Sequence, residues 1–351
     1  MKFMTNTSHH AQFIIFFIIQ TVMFYFIFVI LNINISYKPQ YGILPRHNCS
    51  GAEKGKVILL WTWPFGEKFS FDECRHTAES SDCVFSDNRS LYQSADAVVI
   101  HHRDVSVSRD LLPPIPRPVR QYWVWFNLEA PSHSPNLAMM DNLINLTMSY
   151  KVDSDIFTPY GWLEKLDTPQ NFIISVKSKL VAWVVSNWNR TYDRFQYYEK
   201  LKKYMDVDIY GRHHMPLSRQ NLSHVLSKYK FYLAFENSKD KDYITEKLWN
   251  NAFMSGTVPI VMGPTRKNYE RFIPKDSFIH VDDFSSPQDL ANYILELDRD
   301  DKRYQAYFSW RTWFQPVRVH TWATYYCKVC NALKVIQSYR SMPNLPEWFS
   351  K

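Results

Sequence analysis

The chain has 351 residues, a formal net charge of +7 and an aromatic content of 17%. This length is sufficient for two domains, each with its own core. The basic residues form no dense block, which makes nucleic acid a poor candidate partner, whereas a mild positive balance suits a small anionic ligand.

One long apolar segment occupies residues 13–31 and is interrupted only by Gln20 and Thr21. A helix of about 20 apolar residues spans a bilayer. Because the segment is long and has no small-residue cleavage site, it predicts an uncleaved transmembrane signal-anchor, with residues 1–12 as a cytoplasmic tail. Residues 32–55 are polar and contain proline and glycine, which predicts a stem.

Glycosylation signals favour a lumenal body after the anchor. N-x-S/T triplets begin at Asn48 in the stem and, in the body, at Asn88, Asn145, Asn189 and Asn221. This number of triplets predicts a single-pass type II protein, and the four body asparagines are candidate glycosylation sites whose occupancy is left open. The five cysteines also fit an oxidising compartment.

The body alternates short apolar runs with helical or irregular segments. Strands are predicted at residues 57–61, 97–100, 122–126, 180–185, 207–210, 231–235, 258–262 and 278–281, and helices at 194–205, 287–298 and 302–310. This alternation predicts an α/β fold with two Rossmann-like domains that face a cleft, at residues 56–170 and 171–351.

Residues 231–264 carry the strongest local pattern, that of a strand, a loop, a helix and a second strand. Thr245 is predicted to cap the helix and Gly256 to end it. Two strands joined through a helix run parallel, and ligands bind beyond the carboxyl ends of such strands. The loop 236–243 and the helix start therefore suit a phosphate or diphosphate; an ordinary loop with solvated charges is the alternative.

Several long stretches carry a family resemblance. FYLAFENS at Phe231, DYITEKLW at Asp242 and VPIVMGP at Val258 resemble, in order and spacing, the signature of the vertebrate Lewis-type α1,3/4-fucosyltransferases. WVWFNLEAP at Trp123 is also similar, and the similarity extends over residues 56–350. The resemblance implies a Golgi membrane enzyme with the glycosyltransferase-B fold, which transfers L-fucose from GDP-fucose to glycans with inversion.

Glu129 follows the third predicted strand, in the stretch NLEAP. Transfer with inversion needs one base that removes the proton of the attacking sugar hydroxyl. The resemblance implies that Glu129 is the catalytic glutamate of the family, so we predict it as the general base. A structural carboxylate at the end of a strand is the alternative.

Arg194 and Lys247 are predicted to hold the diphosphate, since the leaving group gains negative charge in the transition state and fixed cations stabilise it. Glu246 is expected to accept hydrogen bonds from sugar or ribose hydroxyls, and Asn237 to serve the donor or to brace its loop. The full donor-binding set is Ser186, Asn187, Arg194, Asn237, Tyr243, Glu246 and Lys247. For its charged members, solvated charges on helix surfaces are the alternative.

His101–Arg103 end the second predicted strand, on the expected acceptor side. In the family this region is tied to acceptor choice, which implies that His102 and Arg103 lie near the acceptor; a polar rim is the alternative. An arginine at position 103 resembles members that prefer Galβ1-4GlcNAc, the lactosamine unit, and form α1,3 linkages. Transfer to O4 on Galβ1-3GlcNAc chains and a catalytically silent, membrane-anchored glycan-binding protein are the rival interpretations.

The resemblance implies two disulfides, Cys74–Cys327 and Cys83–Cys330, which would return the C-terminal segment to the first domain. A zinc site of four cysteines is disfavoured by the lumenal setting and the irregular spacing, and a redox C-x-x-C motif by the lack of a preceding strand. Cys49 remains in the stem, where a free thiol and a bridge within a homodimer are both open.

Asp153 and Asp155 form a D-x-D pair, a pattern that holds a divalent metal and a diphosphate in another large glycosyltransferase fold. The pattern recurs at Asp206 and at Asp240, so it is not specific. We interpret the first pair as structural because it lies far in sequence from the phosphate loop, where cationic side chains are already available. GDP-fucose is therefore expected as donor without a required cofactor, and stimulation by Mn²⁺ is left open.

Overall fold

The computed structural model describes residues 55–75, 82–336 and 338–351, which belong to one compact unit. The predicted tail, the anchor and nearly all of the stem, with Asn48 and Cys49, lie outside the described residues. Within them, no helix combines the length and the apolar character needed to cross a bilayer.

The first half of the described chain is built on a six-stranded parallel sheet. Its strands are β1 (Lys56–Leu60), β2 (Cys83–Ser86), β3 (Ala97–His101), β4 (Tyr122–Asn127), β5 (Leu146–Ser149) and β6 (Ile156–Phe157), in the order β2-β1-β3-β4-β5-β6. The central strands β3 and β4 are buried along almost their whole length because elements cover both faces of the sheet, as is usual for parallel sheets.

The second half is built on a five-stranded parallel sheet. Its strands are β8 (Lys179–Val184), β9 (Asp208–Tyr210), β10 (Tyr229–Phe235), β11 (Val258–Met262) and β12 (Ile279–His280), in the order β12-β11-β10-β8-β9. A two-stranded antiparallel ribbon joins the halves through β7 (Gly161–Lys165) and β13 (Phe314–Arg318). The predicted βαβ unit is confirmed, since Phe231 on β10 pairs in parallel with Val258 on β11.

The helices connect and cover these strands. The α-helices are α1 (Asp72–Arg75), α2 (His102–Val105), α3 (Asp193–Leu201), α4 (Leu222–Leu226), α5 (Arg266–Tyr269), α6 (Pro287–Asp298), α7 (Asp301–Ala306), α8 (Ala323–Val335) and α9 (Leu345–Ser350), and a π-helix covers Lys247–Phe253. Short 3₁₀ segments lie at Pro64–Gly66, Arg89–Ser94, Arg109–Leu111, Pro131–His133, Leu137–Met140, Val281–Asp283 and Ser309–Thr312.

Two of the helices predicted by range, at 194–205 and 302–310, end differently from the sequence pattern. Helix α6 has the predicted bounds, and the Ser286 hydroxyl caps it by accepting from the Asp289 amide at 3.1 Å. Helix α3 stops at Leu201 because the Tyr204 amide donates to the Leu201 carbonyl, three residues earlier, which tightens the last turn. The segment 302–310 is divided between α7 and a 3₁₀ turn rather than forming one helix.

Both predicted disulfides are confirmed, with Cα–Cα distances of 5.2 Å for Cys74–Cys327 and 6.0 Å for Cys83–Cys330. Cys327 and Cys330 are three residues apart on α8 and therefore lie on one helix face, which holds α8 against the first half. Asp82 lies close enough to Cys83 and Cys330 to suggest a metal site, but both sulfurs are bonded to each other and neither is a thiolate ligand.

The last residues of the chain also return to the first half. The Phe349 ring lies edge-on to Trp125 of β4 at 4.8 Å, and the buried Lys151 ammonium donates to the Trp348 carbonyl at 2.7 Å. The C-terminal segment thus packs against the strand that leads to Glu129.

Candidate active site

Glu129 lies in a turn directly after β4 that Asn127 holds in shape. The fully buried Asn127 amide donates to the Ser134 hydroxyl at 2.8 Å and to the Glu129 carbonyl at 3.3 Å, and its oxygen accepts from the Glu129 amide at 3.2 Å. The half-buried Glu129 carboxylate has no hydrogen bond or ion pair with another described residue. Its backbone is therefore fixed while its oxygens are free to accept a proton.

Arg194 connects the ends of two strands of the second sheet. Only 4% of its surface is exposed, and its guanidinium donates to the Asn187 carbonyl at 2.6 Å, to the Asn237 side-chain oxygen and to the Phe235 carbonyl at 3.4 Å. Burial lowers the pKa of Arg194, with nearby carboxylates opposing the shift, but a guanidinium keeps its charge in a protein. Asn237 therefore braces the cation, and Asn187 takes part through its backbone.

Lys247 lies between two carboxylates. Its ammonium is 3.1 Å from an oxygen of Glu236, 3.1 Å from an oxygen of Glu246 and 2.9 Å from the Thr245 hydroxyl. Burial alone would lower the pKa of Lys247, but the charges of Glu236 and Glu246 raise it above its ordinary value. The lysine is thus a fixed cation, and the Arg194 charge lies close enough to act on it.

Glu236 is a site residue that the sequence analysis did not identify. Its side chain is fully buried, and its two oxygens accept from the Thr245 amide at 2.8 Å and from the Thr245 hydroxyl at 2.7 Å. Burial raises the pKa of Glu236, while Lys247 opposes this shift. A glutamate directly after a buried strand and nine residues before Thr245 gives no periodic signal, so only the folded loop reveals this counter-ion.

Thr245 lies at the start of the helix, which is a π-helix over Lys247–Phe253. The Thr245 carbonyl accepts from the Leu248 amide at 3.1 Å, and its hydroxyl accepts from the Lys247 amide in a long hydrogen bond of 3.5 Å. The same hydroxyl donates to Glu236 at 2.7 Å, which leaves its lone pairs available to the helix end. Short π-helical segments are frequent at functional sites, where they displace side chains from the usual helical positions.

Tyr243 lies where the two halves meet. Its ring is 2% exposed and packs against Tyr150 at 5.1 Å and Tyr160 at 6.5 Å, both from the first half. Burial raises the pKa of Tyr243, and the charges of Glu236, Glu129 and Glu246 add to the shift. Glu129 from the first half and Glu236 and Glu246 from the second half therefore lie around Tyr243.

Glu246 and Ser186 are both accessible to solvent. Half of the Glu246 side chain, 51%, is accessible, while one of its oxygens lies 3.1 Å from the Lys247 ammonium. Burial would raise the pKa of Glu246, but the charge and hydrogen bond of Lys247 outweigh it and lower the pKa. Ser186 is exposed just beyond the end of β8, beside Asn187.

The two predicted acceptor-side residues differ sharply. His102 is 1% exposed, with its Nε2 atom 2.9 Å from the Pro135 carbonyl and its Nδ1 atom buried without a partner in the described chain. Helix α2 begins directly after β3 and directs this ring against Trp125, so the side chain is withheld from an acceptor. Arg103 is exposed, with its guanidinium 5.8 Å from the Phe65 ring centroid.

The four glycosylation candidates occupy different environments. Asn88 and Asn221 are exposed, and Asn189 is partly exposed, with its side-chain oxygen accepting from the Thr191 amide at 3.0 Å. Asn145 is 3% exposed and its amide nitrogen donates to the Arg340 carbonyl at 2.6 Å. Its side chain is therefore buried and bonded, unlike the other three, and occupancy at all four asparagines stays a prediction.

The contacts of Asp155 fit the structural interpretation of the first D-x-D pair. One oxygen accepts from the Thr147 amide at 2.8 Å and hydroxyl at 2.9 Å, and the other lies 2.6 Å from the Arg340 guanidinium. This carboxylate is therefore committed to β5 and the C-terminal segment.

A cavity of about 430 Å³ on the second half lies apart from the predicted residues. It is lined by Arg266, Lys275, Asp276, Phe278, Ile279, Asp283, Phe284, Tyr293, Ala306, Tyr307 and Ser309. None of these belongs to the predicted catalytic, donor or acceptor sets.

Comparisons with known proteins agree with this arrangement. A family model described as "Glycosyltransferase family 10 (fucosyltransferase) C-term" matches residues 174–348, and one described as "Fucosyltransferase, N-terminal" matches residues 53–161. A solved α1,3-fucosyltransferase with GDP-fucose shares the fold, with a TM-score of 0.53 at 18% identity over 85% of this chain and 96% of that chain.

Curated relatives are much more similar in sequence. The Bos taurus 3-galactosyl-N-acetylglucosaminide 4-alpha-L-fucosyltransferase FUT3 is 51% identical, over 86% of this chain and 83% of the relative. The Homo sapiens 4-galactosyl-N-acetylglucosaminide 3-alpha-L-fucosyltransferase FUT6 is 47% identical, over 89% of this chain and 88% of the relative. The chain therefore belongs to glycosyltransferase family 10, the fucosyltransferases.

Proposed function

We propose that the protein transfers L-fucose from GDP-fucose to O3 of GlcNAc in Galβ1-4GlcNAc glycans of glycoproteins and glycolipids, with inversion at C1. The observation that carries this proposal is the Glu129 carboxylate, which has no partner among the described residues, beside a region that holds two buried cations, Arg194 and Lys247. A base and fixed positive charge are the two elements that this reaction demands.

Glu129 takes the proton of the acceptor O3 hydroxyl as that oxygen bonds to C1 of fucose. The bond from C1 to the diphosphate breaks, and its electron pair remains on the diphosphate oxygen of GDP. Arg194 and Lys247 stabilise the charge that develops there. Asn237 accepts from Arg194, Ser186 precedes Asn187, whose carbonyl accepts from Arg194, and Glu246 pairs with Lys247, with Tyr243 close to Glu246. The two parallel sheets correspond to the glycosyltransferase-B arrangement, with the donor on the second half.

The acceptor is proposed from position 103 and from the relatives. The exposed Arg103 supports a Galβ1-4GlcNAc acceptor, as in the name of the human FUT6 relative. Transfer to O4 on Galβ1-3GlcNAc is the second candidate, because other relatives, 46–51% identical, are named 3-galactosyl-N-acetylglucosaminide 4-alpha-L-fucosyltransferases.

The proposed setting is the Golgi membrane, with a single-pass type II topology and a lumenal body. The apolar residues 13–31 support the anchor, and the two disulfides support an oxidising compartment. Cys49 supports a homodimer only if it forms an intermolecular bridge, which non-reducing electrophoresis of the full chain against Cys49→Ser measures.

The test uses a secreted form of residues 50–351 with GDP-fucose and paired Galβ1-4GlcNAc and Galβ1-3GlcNAc acceptors. We expect transfer to the first acceptor, with an α1,3 linkage in the product, and resistance to EDTA. Transfer only to the second acceptor would support the α1,4 alternative, and added Mn²⁺ measures stimulation. Glycan binding without turnover by the folded protein would instead indicate a silent binding protein.

A further inference from the structure

The turn that carries Glu129 continues into a segment that reaches the second half. At its base, Ser134 donates to the Ala130 carbonyl at 2.9 Å and accepts from the Asn127 amide at 2.8 Å. Its tip is the 3₁₀ turn Pro131–His133. The base is therefore buried and rigid, whereas the tip projects away from the first sheet.

The tip contacts the second half at two points. The His133 Nε2 atom is 3.2 Å from the Tyr192 hydroxyl, with the two rings edge-on at 5.8 Å, and the Ser132 hydroxyl donates to the Ser238 hydroxyl at 3.4 Å. The other nitrogen of His133, Nδ1, lies 3.1 Å from the Ser132 hydroxyl, which fixes the ring orientation. We call Ser132, His133, Tyr192 and Ser238 the inter-sheet bridge.

Both contacts lie beside residues that fix Arg194, one of the two cations proposed to bind the diphosphate of the donor. Tyr192 occupies the N-cap position of α3, two residues before Arg194, and the Arg194 guanidinium is 5.8 Å from the Tyr192 ring centroid. Ser238 follows Asn237, whose side chain accepts from Arg194. The bridge thus joins the segment of the base directly to the two segments that fix Arg194.

We propose that His133 is a positioning residue, which sets the separation between the Glu129 carboxylate and the donor cations by holding Tyr192 across the two halves. The inference rests on the proposed function. Displacing a reacting group by about 1 Å can lower a rate 10²-fold, and packed halves of a chain move relative to each other unless contacts hold them. Two hydrogen bonds at the tip restrict that motion where the base and the cations face each other.

The bridge predicts coupling between residues that are far apart in sequence. His133→Ala and Tyr192→Phe each remove the same contact, so each should lower kcat about tenfold, and the double variant should lose no more than either single variant. KM for GDP-fucose and for Galβ1-4GlcNAc should change little, because neither side chain is assigned to a substrate. His133→Gln retains a side-chain amide that can bond to the Tyr192 hydroxyl and should recover part of the loss.

The experiment uses the full chain purified in detergent micelles, with kcat, both KM values and the thermal midpoint measured for each variant. His224→Ala, an exposed histidine on α4, is the matched control and should behave as the unmodified chain. Losses that multiply in the double variant, or that follow the thermal midpoint, would overturn the proposal.

Hydrogen exchange provides a measurement that does not depend on fucose transfer. Tyr192→Phe lies in the second half, yet we expect it to increase exchange in residues 130–134 of the first half. Unchanged exchange in those residues would overturn the bridge even if the enzyme is active. If the original chain transfers no fucose while Tyr192→Phe still increases exchange in residues 130–134, the proposed function is contradicted and the bridge is supported.

Discussion

Two glutamates in the candidate site differ in burial and in the number of their partners. Glu236 is fully buried and each of its oxygens has partners, from Thr245 and Lys247. Glu129 is half-buried and its carboxylate has no partner among the described residues, although its backbone is held by Asn127. A buried carboxylate needs partners to remain charged, whereas one reserved for proton transfer must keep its oxygens free.

The largest effect is expected from Glu129→Gln. The variant removes the base without removing any described contact of the side chain, so kcat should fall by at least about 10²-fold. The free energy of unfolding should stay within about 0.5 kcal/mol of the original value. Initial rates and urea unfolding measure the two quantities, and near-normal turnover would show that the base is another residue.

Glu236→Gln should lower stability strongly and kcat less, the reverse of Glu129→Gln. The variant leaves Lys247 buried with only Glu246 as a charged partner, and breaking a buried ion pair costs about 3 kcal/mol of unfolding free energy. Donor KM should rise because Lys247 loses its fixed position, while kcat falls less than in Glu129→Gln.

Urea unfolding and donor titrations measure these changes. Glu270→Gln is the matched control, since its pair with Arg266 lies at the surface and contributes little. Equal stability of Glu236→Gln and the control would mean that the buried carboxylate is not the support of Lys247.

A smaller effect is expected from the brace below Glu129. Asn127→Ala removes the donors to Ser134 and to the Glu129 carbonyl, so kcat should fall about tenfold with little change in either KM. Ser134→Ala should lose less, and Ser134→Thr, which keeps the hydroxyl, should recover activity. Steady-state kinetics distinguishes this outcome from a rise in KM, which would assign Asn127 to substrate binding.

The sequence predicted the sheets well because parallel strands buried on both faces appear as continuous apolar runs, such as 231–235 and 258–262. It missed β2 and β5, with four residues each, and β6, with two, because runs this short have no clear period. It also missed the ribbon strands β7 and β13, which are mostly exposed and therefore carry no apolar run. The disulfides and Glu129 came from family resemblance, since neither spacing nor composition selects one pairing or one glutamate.

The parts of the site that the sequence missed depend on contacts formed only in the fold. Glu236 appears as the first polar residue of a loop, yet it lies 3.1 Å from the Lys247 ammonium and accepts two hydrogen bonds from Thr245. His102 follows a strand, where polar side chains usually form a rim, but α2 directs it inward. Both side chains were expected at the surface and are buried, because a short helix or a buried cation determines the direction of a single side chain.

The buried imidazole of His102 gives the smallest predicted effect, a change in the pH dependence of stability. Burial lowers the pKa of His102 from 6.5 to about 4, and the His101 charge adds to the shift while the bond to Pro135 opposes it. The unfolded chain therefore takes up a proton that the folded chain resists. Stability is retained above about pH 6.5 and is lost as the pH falls towards 4, with a cost of about 1 kcal/mol at pH 5.5.

His102→Gln separates this titration from the hydrogen bond, because the glutamine amide can still donate to the Pro135 carbonyl. The drop in unfolding free energy between pH 7.5 and pH 5.5 should be about 1 kcal/mol smaller in the variant than in the original chain. Urea unfolding at the two pH values measures the difference. Equal drops in both proteins would mean that His102 is protonated in the folded state, so its ring would have to reach solvent or an acid rather than lie sealed against Trp125.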